Sequence, residues 1–187
     1  MKNLYKSVLT LMLALAALPV IAGTASNDQK PAWQYPVIQN AGGVVPLPNA
    51  ALHPDAGETY KVVFNLTRND DPAKVNKGLE HVARAVNLFG MSGVGADQRQ
   101  FVVVLHGPAT VLAGTAEAYR AYTGHEDPNL KLIHALAEAG VEFYVCGQAL
   151  AEHNIPDSAV NSDVKLSLSA ITDLIILQKQ GYVLYPL

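Results

Sequence analysis

The chain has 187 residues, of which half are hydrophobic, with 13 basic and 16 acidic side chains. That length and apolar content fit one globular domain and exclude a disordered chain. The acidic balance, with no basic tract, excludes nucleic acid and anionic membrane surfaces as partners. The single cysteine, Cys146, excludes an intramolecular disulfide.

Residues 1–25 read as a secretory signal. Lys2 and Lys6 supply the positive start, Ser7 to Ala17 the apolar stretch, and Pro19 the break. The small residues Ala22, Gly23 and Ala25 suit cleavage after Ala22 or Ala25. An uncleaved anchor is the alternative, but the apolar stretch is shorter than the ~20 residues that span a bilayer. The expectation is export to the periplasm with no membrane attachment after cleavage. Residues 26–57 form a leader with Pro31, Pro36, Pro46, Pro48 and Pro54, expected to be extended and irregular. Its Trp33, Tyr35, Val37 and Ile38 are apolar enough to pack, although a loose linker is equally compatible.

From Thr59 the pattern becomes regular, which sets a folded domain at 58–187. Tyr60 to Leu66 is a strand. Asp71-Pro72 reads as a helix start, with Asp71 as cap. Val75, Leu79, Val82, Val86 and Phe89 then mark one apolar face, and Gly90 the stop. Phe101 to Leu105 is a continuous apolar strand. Ala109 to Tyr122 reads as one helix, with Leu112, Ala116, Tyr119 and Tyr122 along one side. Asp127-Pro128 starts another helix, with Leu132, Ile133, Leu136 and Ala137 inward and Gly140 at its end. Val141 to Cys146 is a strand, and a short helix follows over Ala149 to His153. Val164 to Leu168 is a strand. Ala170 to Gln180 is a helix capped by Ser169 or Thr172 and ended by Gly181, and Tyr182 to Tyr185 is the last strand. Alternating strands and helices with short connections, the strands apolar without interruption, predict an α/β doubly wound domain. It has about five mainly parallel strands with helices on both faces.

In such a sheet ligands bind beyond the carboxyl ends of the strands. The polar residues there are Asn65 on the first strand with Thr67, Arg68 and Asn69 following, His106-Gly107 after the second, Cys146-Gly147-Gln148 after the third, and Ser167 and Ser169 after the fourth. Asn65, His106 and Cys146 are thereby expected to converge on one edge. A thiol between a strand end and a helix start sits beside backbone N–H groups that favour its thiolate form. Cysteine is also a common core residue, so packing stays open beside reactivity. His106 is either a hydrogen-bonded strand end or the group that activates the thiol, and His153, seven residues after Cys146, is a further candidate. No cofactor or metal is read from the chain. Gly93-Val94-Gly95 lacks the third glycine of a dinucleotide loop, no phosphate loop exists, and the six histidines show no paired spacing.

The succession Tyr60–Leu66, Phe101–Gly107, Val145-Cys146-Gly147-Gln148-Ala149-Leu150 and Leu177 to Pro186 resembles the DsrE/DsrF-like (YchN-like) family over roughly residues 58–187, and its exported branch in particular. The resemblance implies a flavodoxin-like sheet and a homo-oligomer, trimer or hexamer. It also implies a role in sulfur metabolism, with Cys146 carrying sulfane sulfur as a persulfide between a donor and an acceptor protein. Asn65, His106, Gly107, Gly147 and Gln148 would line that site. Gln-Ala-Leu-Ala-Glu-His runs from Gln148 to His153 without the basic residues of the cytoplasmic relay branch. The alternative is a module without chemistry that binds a small ligand or assembles with its own copies, Cys146 being a packing residue. A redox sensor that forms an intersubunit disulfide is a third reading.

Overall fold

The structure, a computed structural model, describes residues 32–187. The signal-peptide reading of residues 1–25 lies outside the described residues. Five strands form one sheet: β1 (Tyr60–Leu66), β2 (Arg99–Leu105), β3 (Glu142–Cys146), β4 (Val164–Ser167) and β5 (Val183–Pro186). Their spatial order is β4-β3-β2-β1-β5, and every neighbouring pair is parallel. The α/β flavodoxin-like expectation therefore holds. Parallel neighbours need crossover connections, which are supplied by α1 (Lys77–Met91), α2 (Ala116–Thr123) with α3 (Leu130–Glu138), α4 (Gly147–Glu152) and α5 (Ala170–Lys179).

Side chains alternate across the sheet, so each strand feeds two cores. Phe64, Leu66, Phe101, Val103, Leu105, Phe143 and Val145 pack with Leu79, Val82 and Val86 of α1 and Ile133 and Leu136 of α3. Val63, Val102, Val104 and Cys146 face the other way, toward Ala170, Leu174 and Leu177 of α5. The first core is the larger, and among the described residues the second face has α5 as its main cover. Cys146 belongs to this thinner side.

Asp127 does not cap α3, which starts at Leu130 after Asn129, and three further local expectations differ from the structure. Asp71 does not cap α1. Its Oδ1 accepts from the Ala73 N–H at 3.1 Å in a single turn that is not continued, and the cap is Asn76, whose Oδ1 accepts from Gly78 and Leu79. Val75 therefore lies before the helix, exposed. Gly90 does not end α1 either, because the helix continues to Met91. A Cβ at Gly90 would stand 2.4 Å from Val37 Cγ2 and 3.0 Å from an Arg99 guanidinium nitrogen, so that glycine serves close packing rather than termination. Third, the segment read as one helix over Ala109–Tyr122 is two: a 3-10 helix over Gly107–Ala113, then α2. Gly114 bridges to Val160, and Thr115 restarts the chain by capping Ala118 N. The split leaves Leu112 and Tyr119 buried and Tyr122 exposed.

The described part of the leader is packed. Residues 34–44 close on themselves through two hydrogen bonds between Gln34 and Val44. Ile38 and Val44 are buried, whereas Trp33 and Tyr35 stay exposed. Asn87 of α1 holds this loop. Its Oδ1 accepts from the N–H groups of Val37 and Ile38, and its Nδ2 donates to the carbonyls of Ile38, Ala41 and Gly42. Glu80 takes the Gly42 N–H and the Arg84 Nε donates to Gly43 O, so three residues along one side of α1 grip the leader.

Candidate functional site

β3 ends at Cys146 and α4 begins at the next residue, with no loop between them. Cys146 is itself the N-cap of α4, and its Sγ accepts from the Ala149 N–H at 3.4 Å. This is the place a serine or aspartate oxygen usually takes. The S–H can donate toward Ser169 Oγ at 3.9 Å, and Ser169 in turn caps α5 through Ile171 N. The sulfur thus sits between the starts of two helices. It is buried, with 6 % of the residue exposed.

The junction depends on Gly147. A Cβ there would lie 2.7 Å from the carbonyl oxygen of Ser167, the β4 residue that pairs with Cys146. Gln148 Nε2 donates to Leu168 O at 3.3 Å and so pins the β4–α5 connection beside the thiol.

His106 is one residue past the β2–β3 pair Leu105↔Val145, as Cys146 is on its own strand. Its backbone is still extended, and its N–H donates to Leu66 O. His106 and Cys146 therefore end adjacent strands, roughly 4.8 Å apart in a sheet, and the alternation along β2 gives His106 the face of Val104 and Cys146. Its Nε2 meets Asn65 Oδ1 at 2.7 Å. Because an amide oxygen only accepts, Nε2 carries the proton and Nδ1 is the free base. Burial pushes the imidazole below its ordinary value, so it is neutral at neutral pH. Gly107 follows in the left-handed region, with φ of 56°, which lets the chain leave the strand directly behind His106.

Asn65, His106 and Cys146 thus stand along one edge, on one face. His153 does not join them: its Nδ1 is 2.7 Å from the Tyr122 hydroxyl. Sequence reasoning missed Asp173. This residue of the first turn of α5 accepts from the Ser167 hydroxyl, whose oxygen also lies 3.0 Å from Val145 O. Ser167, Ser169 and Asp173 fix the α5 start over the sulfur. The only signal for Asp173 was its place in the first turn of a helix, where acids are common. Two cavities, one beyond the ends of β1 and β5 and one between α1 and the β1–β5 edge, are lined by other residues than Asn65, His106 and Cys146.

The DsrE/DsrF-like family model matches residues 61–186, from the start of β1 to the end of β5. None of the curated proteins compared matches the chain. Among solved structures, the chain is similar to MTH1491 from Methanobacterium thermoautotrophicum, described as a protein of unknown function. The TM-score is 0.51 and the identity 17 %, over 68 % of this chain and 99 % of that one, a likeness of fold. With the family match covering all but the first residue of the sheet and all three candidate strand ends, the chain belongs to the DsrE/DsrF-like family.

Proposed function

We propose that this protein is an exported, homo-oligomeric DsrE-like carrier that takes up sulfane sulfur on Cys146. The family's association with sulfur relay supports the reaction class. The observation that carries the reading is the position of Sγ, held by the Ala149 N–H at 3.4 Å on the edge that also presents the His106–Asn65 pair. In the step proposed, the Cys146 thiolate attacks a sulfur of a polysulfide. A bond forms between Sγ and that sulfur, the sulfur–sulfur bond to the rest of the donor breaks, and the shortened polysulfide leaves with the electron pair. No external oxidant is needed because the transferred sulfur is already at the oxidation level of the persulfide. His106 Nδ1 is the base suited to receive the thiol proton.

Cold cyanolysis tests this reading. Cyanide takes the outer sulfur of a persulfide as thiocyanate and returns the thiolate. Protein pre-incubated with polysulfide and freed of excess should release about one thiocyanate per chain, and Cys146→Ser none. Equal release from both proteins would contradict the proposal.

Export rests on the charged start, apolar stretch and small-residue pair of residues 1–25. Homo-oligomer formation is supported by the surface around α5. Leu168 and Ile171 are 70 % and 72 % exposed, and Leu166, Ile175 and Ile176 are exposed beside them. Large apolar side chains left exposed together on one helix and the strand end before it suit an interaction surface. Ile171→Glu together with Ile175→Glu should convert an oligomer of wild-type protein to monomer in light scattering. A monomeric wild type, or a variant of unchanged mass, would contradict that.

The burial of Cys146 favours a second reading, a ligand-binding or assembly module with the thiol as packing. The cyanolysis result separates the two.

A further inference from the structure

Chain order runs from β1 through β2 and β3 to β4 on one side, and β5 returns to pair with β1 on the other. In parallel α/β sheets, ligands bind in crevices outside the carboxyl ends of the strands. Here the crevice is a cavity of about 580 Å³ at the ends of β1 and β5, walled by the 67–76 connection and the start of α1. Its size is that of a small-molecule site.

The walls divide into two chemistries. Leu66, Val75, Tyr185 and Pro186 give an apolar side. On the other side, Arg68 pairs with Asp70 and Lys74 with Asp71, so those four charges cancel. Lys77 and His81 also line the cavity and have no ion-pair partner among the described residues. They stand one helical turn apart on α1, about 6 Å between Cβ atoms, a span that a tetrahedral group with several acceptor oxygens can bridge. The main-chain oxygen of Leu187, at the rim, accepts from the Thr67 hydroxyl.

We propose that this crevice is a second ligand site, independent of Cys146, for a small organic phosphate: phosphoryl oxygens on Lys77 and His81, and an apolar body against Leu66, Val75 and Tyr185. The site lies at the β1/β5 end of the sheet and on the α1 side, whereas Cys146 ends β3 and faces α5. Sulfur chemistry at the thiol and binding in the crevice are therefore separable.

The test is calorimetric titration of the folded protein with phenyl phosphate and with inorganic phosphate. Phenyl phosphate should bind saturably at one site, at least about tenfold tighter than phosphate. Lys77→Gln should weaken it by about tenfold or more, Val75→Trp, which fills the cavity from its exposed rim, should block it, and Cys146→Ser should leave it unchanged. No saturable binding at millimolar probe would overturn the proposal. So would binding that ignores both Lys77→Gln and Val75→Trp, or that is lost in Cys146→Ser.

Discussion

Replacing Asn87 with alanine should destabilise the protein by about 3 kcal/mol or more and free the leader before the sheet unfolds. Asn87 is fully buried and makes five hydrogen bonds to the backbone of residues 37–42. Its removal strands two N–H groups and three carbonyls, and each buried group left unpaired costs about 1–3 kcal/mol, not additively. The loss is local because the loop closes on itself through Gln34 and Val44 and meets the domain mainly along α1. Asn87→Leu keeps the volume and removes the hydrogen bonds, so it should lose nearly as much. Urea denaturation gives the first quantity. Protease cleavage within residues 37–57 or hydrogen exchange at Val37 and Ile38 gives the second. A change under about 0.5 kcal/mol, the size of an ordinary surface substitution, would contradict the role given to Asn87.

Gly147→Ala should be nearly as damaging, and it acts on the candidate site. The added Cβ would stand 2.7 Å from a backbone oxygen of β4, which cannot rotate away as a side chain would. Either β4 or the α4 start must move, at an expected cost of about 2–3 kcal/mol. The same movement should loosen the Ala149 N–H from Sγ and raise the alkylation rate of Cys146. Gly124→Ala is the control. That glycine has φ of 76° and nothing within 4 Å of its added Cβ, so its cost is conformational alone, about 1 kcal/mol. If Gly147→Ala costs no more than Gly124→Ala in denaturation, or leaves alkylation unchanged, the close approach is not what positions the thiol.

The elements were legible where burial dominates. β1 matches its reading at Tyr60–Leu66, and Leu79, Val82 and Val86 are inward as their spacing requires. Errors fell where a local signal was strong but tertiary geometry chose otherwise. Asp71-Pro72 has the chemistry of a helix start, yet the chain must first cross the end of the sheet, and Asn76 caps where it arrives. In the candidate site, the parallel-sheet rule placed Asn65 and His106 close enough for the hydrogen bond observed. Two features had no legible signal. Asn87 lies on the side of α1 that periodicity assigns to solvent, and nothing in the sequence tells that a leader covers it. Asp173 reads as an ordinary first-turn acid because its partner, Ser167, lies on a strand whose register the sequence does not reveal. The crevice beyond β1 and β5 was hidden for the same reason. It depends on β5 pairing with β1 rather than with β4, a matter of topology that no single segment encodes.

Intact-mass spectrometry of the folded protein after incubation with polysulfide tests the central claim most directly. The account predicts a gain of one or more sulfur atoms that reductant reverses and that is absent in Cys146→Ser. An unchanged mass, with the thiol of the folded protein also closed to alkylation, would contradict it and make Cys146 a packing residue.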